Sequence, residues 1–158
     1  MQIVAKQKLA STEVHRFFVS HWNGSEKVNS QGIYNYAELD GFAVLNEQGF
    51  IIGLGTYVLR DDELEIVTLD SDEWRKGIGT SLLHVIENIA YEQGCKSIKV
   101  VTTNDNLDAL KFLQKRGYSM DKIVKDAVAE SRKIKPEIPY YSPNGIPIKD
   151  EMILTKQL

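Results

Sequence analysis

Apolar and polar positions change their period several times along this chain, and each change marks an element. From Ser11 to Trp22 the apolar residues Val14, Phe17 and Phe18, with His21 on the same stripe, recur at helical spacing, and Ser11 stands where a side chain can cap the helix. The short mixed segment before it, Gln2 to Lys8, reads as an edge strand. From Asn23 to Asp40 the periodicity disappears. That stretch is polar, punctuated by Gly24 and Gly32, and carries Tyr34 and Tyr36, which predicts a long loop or a broken helix of the kind that often serves function. Three apolar runs follow: Phe42 to Leu45, Phe50 to Leu59 and Glu63 to Leu69. The turns between them, Asn46-Glu47-Gln48-Gly49 and Arg60-Asp61-Asp62, are short enough to force neighbouring strands to run antiparallel.

The helical period returns from Gly79 to Gln93. Leu82, Leu83, Ile86, Ile89 and Ala90 share one face, Ser81, His84, Asn88 and Glu92 the other, and Gly94 is placed to stop the helix. Ile98 to Thr102 then reads as a buried strand. Asn106 opens a shorter helix with Leu107, Ala109, Leu110 and Leu113 as its apolar face, closed by Gly117. Tyr118 to Val124 is a further strand, Ala127 to Ile134 a helix, and Met152 to Thr155 the last strand, with all four prolines between Asp126 and Ile148. Strands and helices in this order define a mixed α/β (α+β) single domain over residues 1–158.

Composition narrows the choice of partner. A length of 158 residues suits one domain, and a hydrophobic fraction of 42% excludes disorder. The net charge of −3 advertises no nucleic-acid partner, although Lys76, Lys96, Lys99 and Lys111 leave room for a local basic patch. A single cysteine, Cys95, excludes an internal disulfide and a cysteine-rich zinc site, and His15, His21 and His84 lack ligand spacing, so no metal is expected. The segment Met1-Gln2-Ile3-Val4-Ala5-Lys6 carries no apolar run of the length a signal peptide or membrane span needs. The expectation is a cytoplasmic protein without a membrane or nucleic-acid partner, with a homodimer left open.

The chemistry concentrates at Arg75-Lys76-Gly77-Ile78-Gly79-Thr80, between an apolar strand and an amphipathic helix. Glycines let backbone N–H groups approach an anion closely, the helix start adds a favourable dipole, and Arg75 and Lys76 add charge. Those features suit a diphosphate. A nucleotide P-loop requires a Gly-Lys-Ser/Thr run that is absent, and the dinucleotide fingerprint requires a third glycine where Leu82 stands. A coenzyme A loop remains, beside the blander reading of a tight turn before an ordinary helix.

The segment from Glu65-Ile66-Val67-Thr68-Leu69 through Gly77-Ile78-Gly79-Thr80-Ser81-Leu82-Leu83 resembles motif A of the GNAT N-acetyltransferases. Further on, Asn104-Asp105-Asn106-Leu107-Asp108-Ala109-Leu110-Lys111-Phe112-Leu113-Gln114-Lys115-Arg116-Gly117-Tyr118 is similar to motif B, through Asn106, Ala109 and the closing Gly117-aromatic pair. The resemblance covers about Gly41 to Val124, and the tail Gly145-Ile146-Pro147-Ile148 is similar to that of a small bacterial subgroup of unassigned substrate. It implies a central mixed, mostly antiparallel sheet flanked by helices. It also implies acetyl-CoA as donor and direct acetyl transfer to a primary amine of a small molecule or peptide. On this resemblance Val67 and Leu69 lie along the pantetheine arm, with backbone N–H groups near Leu69 as oxyanion donors. Arg75, Lys76, Gly77, Ile78, Gly79 and Thr80 hold the diphosphate, and Asn104 and Asn106 complete the cofactor site.

Two positions depart from the family. Trp74 stands where Gln or Arg is usual, with Arg75 one place late, and Leu113 stands where a tyrosine often protonates the departing thiolate. The expected base is Glu65, a carboxylate among Leu64, Ile66 and Val67 on a strand where several of these enzymes carry one; the alternative is a side chain turned to solvent. Tyr34 and Tyr36 are the candidate substrate contacts, in a segment that with Trp22, Glu38 and Asp40 would favour a cationic amine; the alternative is a solvated loop face. Cys95, at the start of an apolar strand, reads as a buried structural cysteine. A non-catalytic acyl-CoA-binding module is the alternative function, made reasonable by Leu113.

Overall fold

The computed structural model describes residues 1–73 and 77–158. In chain order the elements are β1 (Gln2–Ala5), α1 (Ser11–Trp22), β2 (Glu26–Asn29), β3 (Gly32–Asn35), β4 (Asp40–Leu45), β5 (Ile51–Arg60) and β6 (Glu63–Ser71). They continue as α2 (Ile78–Glu92), β7 (Ser97–Thr103), α3 (Leu107–Lys115), β8 (Ser119–Val124), α4 (Ala127–Ile134) and β9 (Glu151–Gln157). The fold class is the one expected, a mixed α+β architecture of mostly antiparallel strands with helices packed on them. Two compact units divide the chain: residues 1–27, 34–98 and 158 form one, residues 28–33 and 99–157 the other.

In the first unit the strands lie in the order β1-β4-β5-β6, each pair antiparallel. Alternation assigns their faces. Ala43 and Leu54 join Val14 and Phe17 of α1 in one buried cluster, while Val44 and Ile52 join Ile78 and Leu82 of α2 in another. Neighbours Ala43 and Val44 point to opposite faces of a strand, so the helices cover opposite faces of the sheet. Glycine allows α2 its close approach: a Cβ at Gly53 would stand 2.4 Å from Ile78 Cγ2, and one at Gly55 2.8 Å from Ile86 Cδ1. In the second unit β9 lies between β7 and β8, and its pairing with β8 is antiparallel.

Two expectations require correction. The stretch Asn23 to Asp40 is neither a long loop nor a broken helix; β2 and β3 form a two-stranded hairpin within it, followed by a 3-10 turn at Tyr36–Glu38. Each strand has four residues with one of them buried, Val28 or Tyr34, too little for a period of two to register. A contact 121 residues away holds the hairpin turn: the buried Glu151 accepts from the Ser30 backbone N–H (2.9 Å) and hydroxyl (2.5 Å). Ser11, for its part, caps nothing. It is the first residue of α1, and the cap position falls on Ala10, which offers no side-chain acceptor. The edge strand is also shorter than Gln2 to Lys8, because Lys6–Lys8 is a 3-10 turn.

Candidate functional site

The β5–β6 ladder skips one residue. Thr56 stands opposite Thr68 and Tyr57 opposite Ile66, which makes Val67 an extra residue on β6. Such a bulge leaves the residue outside the ladder and re-aims the backbone that follows. The Val67 side chain is buried with Tyr34 and Leu39, and its carbonyl accepts from Lys27 Nζ at 2.5 Å. Beyond the bulge, the buried Thr56 and Thr68 hydroxyls hydrogen-bond at 2.6 Å, and Leu69 packs on the cluster of Ile78 and Leu82.

Two residues before the bulge, Glu65 is 1% exposed. The solvent-facing alternative is thereby excluded. Its carboxylate accepts from the Tyr34 hydroxyl at 2.9 and 3.0 Å to its two oxygens and is ion-paired to Arg60 Nη1. Arg60 Nη2 also donates to the Tyr34 oxygen at 2.6 Å. Burial, followed by the Arg60 hydrogen bond acting the other way, leaves the Tyr34 hydroxyl pushed up to about 12, so it stays protonated. Tyr36 does not join this group; its ring meets that of His15 at a 45° tilt (4.9 Å between centroids) and packs against the α1 cluster.

The end of α1 and the start of β2 supply three further contacts to the same region. His21 Nε2 meets Asp72 Oδ1 at 2.7 Å, Trp22 Nε1 donates to Asp70 Oδ2 at 2.7 Å, and the Lys27 ammonium lies 4.1 Å from the centre of the Trp22 ring. Burial raises the Asp70 carboxyl above the usual carboxylate range, partly offset by the Trp22 hydrogen bond and the charges of Lys27 and His21.

Toward the loop, Gly77 is the cap residue of α2 and sits at φ 73°, a left-handed conformation that favours glycine. A Cβ there would meet no atom within 4 Å, and Gly77 itself brings no side chain to cap the helix. Ser81 N–H donates to Gly77 O (2.9 Å), so the amides of Ile78, Gly79 and Thr80 precede the first intrahelical bond and point outward from the helix start. That geometry fits a diphosphate. Arg75 and Lys76, expected to contribute charge, and Trp74 lie outside the described residues.

In the second unit, Asn104 is the hub of a loop. Its side chain donates to Pro147 O (2.9 Å) and accepts from the Lys149 and Asp150 amides (3.0 Å each). Asn106 caps α3 by accepting from the Ala109 amide at 3.2 Å. Leu113 is 2% exposed on the inner face of that helix. Arg132 pins the proline-bearing segment through the carbonyls of Ile138 (3.2 Å), Pro139 and Ile148 (2.7 Å each). Sequence reasoning missed Arg60, Lys27 and Arg132, whereas Trp22 was placed with the candidate substrate segment. Nothing local marked Lys27 or the two arginines, whose partners lie on other elements.

Cys95 is buried, and burial pushes its thiol up, away from nucleophilic use. Among the described residues no group of three or more His, Cys, Asp or Glu side chains could hold a metal, and no helix is long and apolar enough to cross a membrane.

A bulged strand followed by a left-handed glycine at a helix start, on a mixed α+β scaffold, is the GNAT acetyltransferase class of folds. The comparisons agree: residues 10–118 match the Acetyltransferase (GNAT) family, and the chain belongs to that family. It is 47% identical to the uncharacterized protein YxbD of Bacillus subtilis (strain 168), over 100% of this chain and 99% of the other. It shares its fold with an IAA acetyltransferase from Bacillus cereus ATCC 14579 (TM-score 0.72, 19% identity, 99% of this chain and 100% of that one). A GNAT family acetyltransferase from Elizabethkingia anophelis with acetyl-CoA bound is also similar in fold (TM-score 0.68, 19% identity, 99% and 98% covered).

Proposed function

We propose that this protein is an acetyl-CoA-dependent N-acetyltransferase that passes the acetyl group directly to a primary amine of a small molecule or peptide. The observation that carries the reading is the Val67 bulge on β6, the strand that leads to the left-handed Gly77 at the start of α2. In this reading the backbone at Val67 and Leu69 lies along the acyl-pantetheine arm. The amides of Gly77, Ile78, Gly79 and Thr80, with Arg75 and Lys76, take the diphosphate. Asn104 and Asn106 act as builders of their own loop and helix, because their side chains are already engaged there. The bound cofactor supplies an activated acyl group.

The attacking amine must lose a proton. Glu65 is the acceptor in this proposal, working through Tyr34. The Tyr34 oxygen uses one lone pair on Arg60 and keeps another. It takes the amine proton while its own passes along the 2.9 Å bond to Glu65. With Leu113 buried, no hydroxyl from that position reaches the leaving group, and a thiol of pKa about 8.5 departs acceptably as thiolate. That same Leu113 favours the second reading, a non-catalytic acyl-CoA-binding module.

Thermal-shift titration with acetyl-CoA, ATP and NAD tests the cofactor. Acetyl-CoA at about 100 times its Kd should add roughly 2.7 kcal/mol, and the other two less. No shift at millimolar acetyl-CoA would overturn the proposal. A free-thiol assay over an amine panel separates the readings, since the binding module shifts but releases no thiol.

A further inference from the structure

We propose that Lys27 is an internal acetyl acceptor: its ε-amine, held on the Val67 carbonyl along the open side of β6, takes an acetyl group from acetyl-CoA bound to the same chain. This rests on the reading of the site as an acetyl-CoA site.

The ladder register fixes which backbone groups of β6 are open. The Asp72 N–H donates to Ile52 O at 2.9 Å, and Asp70 and Thr68 stand opposite Leu54 and Thr56. Alternate residues of an antiparallel strand turn their N–H and C=O to the same neighbour, so those of Asp70 and Thr68 face β5. The groups between them point the other way. A trans peptide directs each carbonyl opposite to the next N–H, and every peptide here is trans among the described residues. Val67 C=O is therefore turned away from β5, and so is Leu69 N–H. An acyl-pantetheine arm meets the backbone of these residues from that side.

A primary amine already stands there. Lys27 Nζ donates to Val67 O at 2.5 Å, with the Trp22 ring centre 4.1 Å from it and Trp22 fixed by its 2.7 Å bond to Asp70. A strand rise of about 3.3 Å per residue separates Val67 from Leu69 by about 7 Å. A thioester whose oxygen lies on the Leu69 N–H thus has its carbon within one swing of the lysine side chain. Holding nucleophile and electrophile in one site makes the reaction effectively unimolecular. Once unprotonated, the amine has a lone pair for attack and two N–H groups, one of which stays on Val67 O. The step balances with no further reactant. The ammonium gives one proton to solvent and its lone pair attacks the thioester carbon. The C–N bond forms as the C–S bond breaks, and a second proton passes from nitrogen to the coenzyme A thiolate. The product amide keeps an N–H for Val67 O and loses the charge that faced Trp22.

The test needs no external acceptor. The full chain is incubated with saturating acetyl-CoA carrying a heavy acetyl group, and peptide mass spectrometry follows each lysine with time. Titration calorimetry measures binding on the same protein. Lys96 and Lys133, with side chains 82% and 72% exposed, report the background of uncatalysed acetylation. Lys27, which is only half-exposed, should be labelled about tenfold or more faster than either, with a rate constant independent of protein concentration. Excess unacylated coenzyme A should bring Lys27 down to the background and leave Lys96 and Lys133 as they were. Gly79→Glu should do the same, and the competition reads the point even where that variant does not fold. Labelling of Lys27 no faster than of the exposed lysines, in protein that binds acetyl-CoA, would overturn the inference and leave the cofactor reading standing. A rate constant that rises with protein concentration would overturn it as well, because the amine would then serve another chain's cofactor. Failure of wild type to bind acetyl-CoA in the calorimeter is a separate result, and it would take down the cofactor reading with the inference.

Discussion

Arg60, Tyr34 and Glu65 divide the work of keeping one carboxylate in the interior. Glu65 is 1% exposed, whereas the Arg60 side chain is 42% exposed, so the cation reaches water while its partner cannot. Removing the cation leaves an uncompensated buried charge, and removing the phenol leaves one oxygen short of a donor. Arg60→Met is therefore expected to cost about 3 kcal/mol, against about 1–2 kcal/mol for Tyr34→Phe, in urea unfolding at neutral pH. The reverse order would show that the pair is not what holds the carboxylate. Asp70 makes the opposite prediction. Its carboxyl is raised by burial, so the folded state holds that proton more tightly than the unfolded chain. Below the unfolded pKa both states are protonated and nothing is lost. As pH rises the unfolded state ionises first, and stability declines until the folded group has also ionised. Asp70→Asn, which keeps an oxygen for Trp22, should accordingly raise the melting temperature at pH 7 by an amount that shrinks on acidification and vanishes only below the unfolded carboxyl's ordinary value of 3.8. A variant less stable than wild type at pH 7 would show that the charge is wanted there.

At the scale of elements, the β2–β3 hairpin depends on a contact made by its turn. Glu151, 2% exposed, accepts among the described residues from Ser30's backbone N–H and hydroxyl, both within the second unit. Ser30→Ala removes the hydroxyl and strands half of a buried carboxylate, a loss expected to be about 1–3 kcal/mol. Amide exchange should be faster across Glu26–Asn29 and Gly32–Asn35 in that variant, with α2 unaffected. Unchanged exchange in the hairpin would assign its stability to Val28 and Tyr34 instead. The long elements were legible because their patterns ran for many residues. The stripe of Leu82, Leu83, Ile86 and Ala90 repeats over about two and a half turns and is fully buried, and the three strands from Asp40 to Ser71 are bounded by turn residues. The hairpin was not, because four residues with one buried position carry no period.

For the whole molecule, the decisive linkage is between cofactor and stability. Gly79 lies in the first turn of α2, where a carboxylate is favourable to the helix but opposes a phosphate. Gly79→Glu should melt near the wild-type temperature and show no rise with millimolar coenzyme A, by thermal shift and calorimetry. Wild-type affinity in the folded variant would place the diphosphate elsewhere. The order of the long elements, the glycine turn before α2 and the family were determined by the sequence itself, since backbone conformation at Gly77, helix periodicity and motif order are local properties. Tertiary structure alone decided that Val67 is a bulge, that Lys27 takes its carbonyl, that Glu65 is met by Arg60 and Tyr34, and that Asn104 holds a loop. Those are meetings of residues that lie from 5 to 46 positions apart. No periodicity records them, because a hydrogen bond between such partners exists only once the ladder's register and the helix packing have brought them together.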